Sequence, residues 1–283
     1  MLTSLPANDT RFLADADAIA AAIPNGALLA LPADNSIPTM AVVRALIRRR
    51  AAGLRLLGVP TLGMGADLLI GAGCVEAIET SAVSLGEAGP APRFTEAAQS
   101  GALRVQDATC PMIHTALQAA EKGVPFMPLR GVLGSDLIRH RPDWRVIDNP
   151  LANAPDPIVL APAIAPDVAL FHARWADRAG NVWVGRHREL ITMAHAAKQS
   201  FVTVEMLRQG DMLEDELLAA GALPGIYVTG VAVATRGAWP LGVVDEYAVD
   251  HDHVARYARA AKTPEGFRRY LEEFVFPQAA APW

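Results

Sequence analysis

The sequence predicts an α/β fold in which a mostly parallel sheet carries helices on its faces. Three observations support this. Short apolar runs of strand length alternate with stretches whose apolar residues recur every three or four positions. Pro, Gly and Asn cluster at the junctions. With 283 residues, 52% of them hydrophobic, the chain is long enough to bury such a sheet.

Thr10 to Ile23 has helical spacing and is closed by Pro24-Asn25-Gly26, after which Ala27 to Leu31 is a short apolar strand. Ile37 to Ala51 is the next helix, Leu54 to Val59 a strand, Ala66 to Ala72 a short helix and Val75 to Val83 a third strand. Helix Pro92 to Ser100 leads to strand Leu103 to Gln106, and helix Met112 to Lys122 starts behind Pro111, which suits a first helical turn. Further strands are expected at Ile158–Ala161, Ala169–Ala173, Phe201–Val204 and Ile226–Val233, with a helix at Glu189–Lys198. Asp148 to Pro157, rich in Pro, Asn and Asp, reads as a surface loop. No repeat or linker divides the chain, so residues 1–283 read as one domain ending in a helical segment at about 251–276. There Val254, Tyr257, Ala258 and Ala261, then Phe267, Tyr270, Leu271 and Phe274, form apolar faces. These are expected to dock on the chain's own core, or else on a second subunit.

A net charge of -5 lacks the basic excess that nucleic-acid binding requires. The most apolar windows, such as Ile158 to Phe171, are cut by Pro162, Pro166 and Asp167, so no membrane span is expected. The start, MLTSLPANDTRF, has neither a basic nor an apolar leader region. Cys74 and Cys110 are too few for a disulfide framework and lack zinc-type spacing, which fits a cytoplasmic protein. Cys110 reads as a buried structural cysteine.

Glu87 stands between Gly86 and Gly89 and ahead of Pro90 and Pro92. A carboxylate in such a turn is a candidate for chemistry on an acyl group, or for capping the helix that follows. The two glycines let a substrate approach the backbone or serve positive φ angles. Arg130 precedes the small-residue loop Gly131 to Ser135, in which Gly131, Gly134 and Ser135 can present amides to an anion. Its guanidinium suits a carboxylate, or else a structural acid such as Asp136. Glu205, within an apolar run, needs buried partners, expected to be backbone donors. Asp250-His251-Asp252-His253 opens a helix in a way that fits capping rather than metal binding. HExxH, GxSxG and a complete dinucleotide loop are all missing.

VSLGEAGPAPRF at 83–94, GVPFMPLRGVLGSD at 123–136 and FHARWADRAGNVWV at 171–184, followed by TVEML at 203–207 and PGIYV at 224–228, appear in this order. Over most of the chain they resemble the A (alpha) subunit of family I CoA-transferases, the glutaconate and 3-oxoacid type. The resemblance implies the CoA-transferase variety of α/β fold and a B (beta) subunit partner in a heterodimer or heterotetramer. It also implies coenzyme A as a substrate, no permanently bound cofactor, and a short dicarboxylic or 3-oxo acyl group. In the family the nucleophilic glutamate lies on the B half, which gives Glu87 a supporting role.

Where the family has a glycine pair and an aromatic residue after the first strand, this chain reads LPADNS at 31–36. Pro32 has no amide hydrogen and Ala33 lacks glycine's freedom. Asn35 can donate to an oxyanion from its side chain, unless Asp34 and Asn35 serve only the turn. This departure opens a second reading, hydrolysis of a CoA thioester or carbon–carbon ring cleavage as in steroid-degrading relatives of similar fold. A third is a non-catalytic scaffold or binding subunit that completes its partner's pocket.

Overall fold

The computed structural model describes residues 11–277, so Thr10 of the first expected helix and most of the MLTSLPANDTRF start lie outside the described residues. Helix α1 (Ala16–Ala22) begins at Asp15, whose side chain accepts from the Ala18 amide, and leads into β1 (Leu28–Pro32). Alternation within β1 sends Leu29 and Leu31 to one face and Ala30 to the other. Helix α2 (Met40–Arg48), capped by Thr39, lays Met40, Val43, Leu46 and Ile47 against the first face. Truncating a residue such as Leu46 there would cost about 2–5 kcal/mol.

Strand β2 (Leu54–Val59), α3 (Met64–Gly71), β3 (Val75–Thr80), α4 (Pro92–Ser100), β4 (Arg104–Asp107) and α5 (Cys110–Glu121) continue the alternation. The chain then makes β5 (Phe126–Leu129), α6 (Leu137–His140), β6 (Arg145–Asp148) and β7 (Pro157–Pro162). These three strands pair antiparallel in the order β5-β7-β6 as a small separate sheet. Sequence patterning missed β5, β6 and α6 because the strands are short and largely exposed, and Pro128 in β5 looks like a breaker. Proline is tolerated there because β5 is an edge strand. Arg141 ties this region to the main sheet, donating to Glu79 and Asp143 at 2.7 Å and to the Asp107 carbonyl at 3.0 Å.

Strand β8 (Val168–Asp177) returns to the main sheet, β9 (Val182–Trp183) folds back on it, and α7 (Arg188–Ala196) leads to β10 (Gln199–Arg208). After α8 (Glu216–Ala219) and β11 (Ala222–Leu223) comes β12 (Gly230–Val233). The strand expected from Ile226 begins only at Gly230, because Gly225–Tyr227 forms a 3-10 turn. Main-sheet pairing runs β4-β3-β2-β1-β8-β10-β12, all parallel, with β9 and β11 added antiparallel beyond the end of β8. The turn at 177–181 is a buried hub: Asp177 accepts from the amides of Ala179, Asn181 and Met212 and from Asn181 Nδ2, all within 3.0 Å.

Helices α1 to α3, α9 (His251–Ala260) and α10 (Pro264–Phe274) cover one face of the sheet, and α5, α7 and β7 cover the other. Val254, Tyr257, Ala258, Phe267, Tyr270 and Leu271 of the last two helices are buried in this chain's own core, as their spacing predicts.

Candidate active site

In an open parallel sheet, ligands bind beyond the carboxyl ends of the strands, where the strand order reverses. Here the chain builds outward from β1 through β2 and β3 to β4, then resumes on the other side of β1 with β8, β10 and β12. The reversal falls between β1 and β8. α2 follows β1 on one face and α7 follows β8 on the other.

The loop leaving β1 therefore opens at the switch point. Asp34 accepts from the Met64 amide at 3.0 Å, which ties the loop to the start of α3. Burial pushes the Asp34 carboxyl up to about 6, against the Met64 hydrogen bond, and Asp67 nearby adds to the rise. Asp34 thus anchors the loop to a distant helix, a longer-range tie than the local turn role expected of it. Asn35 is exposed beside it and makes no hydrogen bond among the described residues.

The turn after β3 comes to the same place. Gly86 and Gly89 have φ of +60° and +96°, a region open to glycine, and the Leu85 amide closes the turn on the Gly89 carbonyl at 2.9 Å. Glu87, exposed at its tip, has no hydrogen bond or ion pair among the described residues. It does not cap α4: the free Phe94 amide goes to Asp67 of α3 at 2.7 Å. A cavity of about 510 Å³ has Asn35, Gly86 and Glu87 in its wall, together with Leu241, Val249 and the start of α9.

A neighbouring cavity of about 560 Å³ shares Asn35 and Val249 and is walled by residues 242–249. That wall is held by a buried network that sequence reading only half anticipated. Glu205 takes the Arg236 amide at 2.7 Å, the backbone donor expected for it, and also His172 Nε2 and the Tyr247 hydroxyl, each at 2.8 Å. Burial pushes the Glu205 carboxyl up, but these hydrogen bonds outweigh it and hold the group below its usual range. His172 Nδ1 reaches Thr203 at 2.8 Å, and Thr203 donates to Thr39 at 2.7 Å. Gly237 is required here, because a Cβ would stand 2.7 Å from the His172 ring. The only hint in the sequence is an acid inside an apolar strand.

Arg130 lies outside these cavities. Its guanidinium forks onto Asp156 at 2.6 and 2.8 Å, whereas Asp136, the acid named from sequence, pairs with Arg139. In the same loop the Ser135 hydroxyl and amide both return to the Val132 carbonyl, while Gly131 and Gly134 are exposed. Cys110 is a correction: it is exposed at the first turn of α5, 3.2 Å from the Ser81 hydroxyl, because it precedes the buried stripe of that helix. Asp250 caps α9 through the His253 amide at 2.9 Å. Among the described residues no group of three or more His, Cys, Asp or Glu could hold a metal ion, and no helix is long and apolar enough to cross a membrane.

A family model described as Coenzyme A transferase matches residues 13–234. The chain is 32% identical over 248 residues to the IpdA component of the cholesterol ring-cleaving hydrolase of Rhodococcus jostii, covering 83% of this chain and 82% of that protein. It is 30% identical over 258 residues to the alpha-type (A) subunit of glutaconate CoA-transferase from Acidaminococcus fermentans, covering 83% and 78%. The crystal structure of that glutaconate CoA-transferase superposes with a TM-score of 0.85 at 26% identity, over 94% of this chain and 89% of the other. A longer protein of Archaeoglobus fulgidus, 29% identical, is matched over 84% of this chain, which spans about half of that relative at 53%. Agreement of this reach, from β1 through the last parallel strand, shows that the chain belongs to the coenzyme A transferase family.

Proposed function

We propose that the chain is the A-type subunit of a heteromeric acyl-CoA:carboxylate CoA-transferase acting on a short dicarboxylic or 3-oxo acyl group. The observation that carries this reading is the unpartnered Glu87 carboxylate, which lines one cavity together with Asn35 beyond the carboxyl ends of the strands. Transfer proceeds through a carboxylate nucleophile that forms an acyl anhydride and then an enzyme–CoA thioester, so one difficult exchange becomes two easier ones. The nucleophile is assigned to a B-type partner in a cytoplasmic heterodimer or heterotetramer, and coenzyme A enters as substrate. Asn35 donates to the thioester oxygen in place of the missing glycine amides, and Glu87 supports the reacting carboxylate. Gly86 and Gly89 shape the turn that presents it. Arg130 and the loop through Gly131, Gly134 and Ser135 join the site only where a substrate carboxylate displaces Asp156.

The test is acyl exchange in the complex between an acyl-CoA and a free carboxylate, with and without Glu87→Gln. Ping-pong exchange that falls sharply in the variant is the expected result. Unchanged turnover would remove Glu87 from the site and favour a scaffold role.

A hydrolytic reading has its own support in Pro32 and Ala33, which leave the loop after β1 short of amide donors, and in the similarity to the ring-cleaving IpdA component. Water would then be the acceptor. Incorporation of ¹⁸O from labelled water into the product, without exchange into an added carboxylate, distinguishes it.

A further inference from the structure

A third cavity lies farther along the same end of the sheet. It measures about 370 Å³ and is walled by Ile37, Trp183, Val184, Leu217, Val243 and Val244. Ile37 belongs to the Asn35 loop, and Val243 and Val244 also line the cavity that reaches Asn35, so this pocket continues the path that starts at Glu87. Leu217 and Val244 are 87% and 55% exposed and place apolar surface at the mouth of the pocket. Trp183 is set in place on both sides. It packs against Trp175 with ring centroids 5.2 Å apart and planes tilted by 42°, and it lies over Gly185, where a Cβ would stand 2.8 Å from its ring.

Two arginines and a histidine rim this pocket, and one arginine and the histidine have acidic partners. Arg174 pairs with Glu246 and with Asp245, and His187 Nδ1 lies 3.2 Å from Glu189. Arg186 is exposed, and its guanidinium has no hydrogen bond or ion pair among the described residues. An apolar pocket with one uncompensated guanidinium at its mouth selects a ligand with an apolar body and an anionic end. The body gains by leaving water, and the planar fork matches a carboxylate. At Arg130 the equivalent fork is already filled by Asp156.

We propose that this pocket receives the acyl group of the thioester and that Arg186 meets a carboxylate at its far end. The substrate class is then an acyl-CoA with a distal carboxylate and an apolar chain or ring longer than the short acyl group named above, which rests on the acyl-CoA reading but not on that length.

The experiment uses the full chain purified with its co-expressed partner and measures Kd for three probes: acetyl-CoA, octanoyl-CoA and octanedioyl-CoA. Arg186→Gln is expected to raise the ratio of the octanedioyl-CoA to the octanoyl-CoA Kd about tenfold, the scale of one charge-assisted fork. Val244→Trp narrows the pocket and is expected to weaken both eight-carbon thioesters about tenfold while acetyl-CoA stays within about twofold. An unchanged ratio in Arg186→Gln, with all three thioesters still bound, would overturn this proposal alone. Loss of the partner on purification of Val244→Trp would make the face an inter-chain contact and also overturn it. If the wild-type complex bound none of the three, the acyl-CoA reading would fall and this inference with it.

Discussion

Glu87 and Glu205 show how far environment separates two chemically identical side chains. Glu87 is exposed and partnerless beside a cavity, whereas Glu205 is 9% exposed and accepts from a backbone amide, a histidine and a tyrosine. Replacing Glu87 by Gln removes no contact, so the melting temperature should stay within about 2 °C. Turnover of the complex should fall by about tenfold or more, less than the roughly hundredfold at which a direct acid or base starts, because Glu87 has a supporting role. Glu205→Gln should behave the opposite way in stability. It places an amide NH₂ where only donors converge, and a loss of about 2 kcal/mol is expected in denaturant unfolding. Turnover should fall as well, since the wall at residues 242–249 hangs on this carboxylate.

Two elements depend on carboxylates whose value the sequence does not reveal. At the start of α7, burial raises the Glu189 carboxyl, but hydrogen bonds from His187, Ser36 and its own amide overcome this and bring it from 4.5 down to about 2. A first-turn carboxylate is also favoured by the helix dipole. With the folded value depressed, its stabilisation is fully present above pH 4.5 and is lost as the pH falls toward about 2. Acid titration of unfolding should therefore show a steeper loss in that window for the wild type than for Glu189→Gln. The second element is α9, latched to α3 and α4 by a fully buried pair. Tyr257 donates to Asp67 Oδ2 at 2.6 Å, while Asp67 Oδ1 holds the Phe94 amide. Tyr257→Phe strips that donor from a buried carboxyl, and a cost of about 1.5–3 kcal/mol is expected in chemical denaturation.

For the whole molecule, the reversal of strand order gathers the loops after β1, β3 and β12 at the carboxyl ends of the strands, where the middle cavity shares Asn35 and Val249 with one neighbour and Val243 and Val244 with the other. Because the proposed nucleophile belongs to a partner, the purified chain alone should exchange no CoA, and activity should appear on adding a B-type subunit. Incubation with acyl-CoA, borohydride reduction and intact mass check this, since a glutamyl–CoA thioester is reduced to an alcohol and leaves a lighter residue. Reduction at Glu87 in the isolated chain would make this chain the catalytic one.

Residue periodicity was enough to define the parallel sheet and most of its helices, because periods of two and of three to four residues bury side chains whatever surrounds them. Leu54–Val59 and Pro92–Ser100 were legible to the residue, and so was the turn that exposes Glu87, whose glycines and prolines act locally. The partners of the polar groups came from the folded chain. Arg130 meets Asp156 rather than Asp136, the α4 amide goes to Asp67 rather than Glu87, and Cys110 faces outward. Folding also brought His172, Glu205 and Tyr247 together from three separate segments, and placed Trp183 and Arg186 around one pocket. A charged or polar side chain takes whichever partner the fold carries within about 3 Å, and residues dozens of positions apart in the chain give no local sign of that distance.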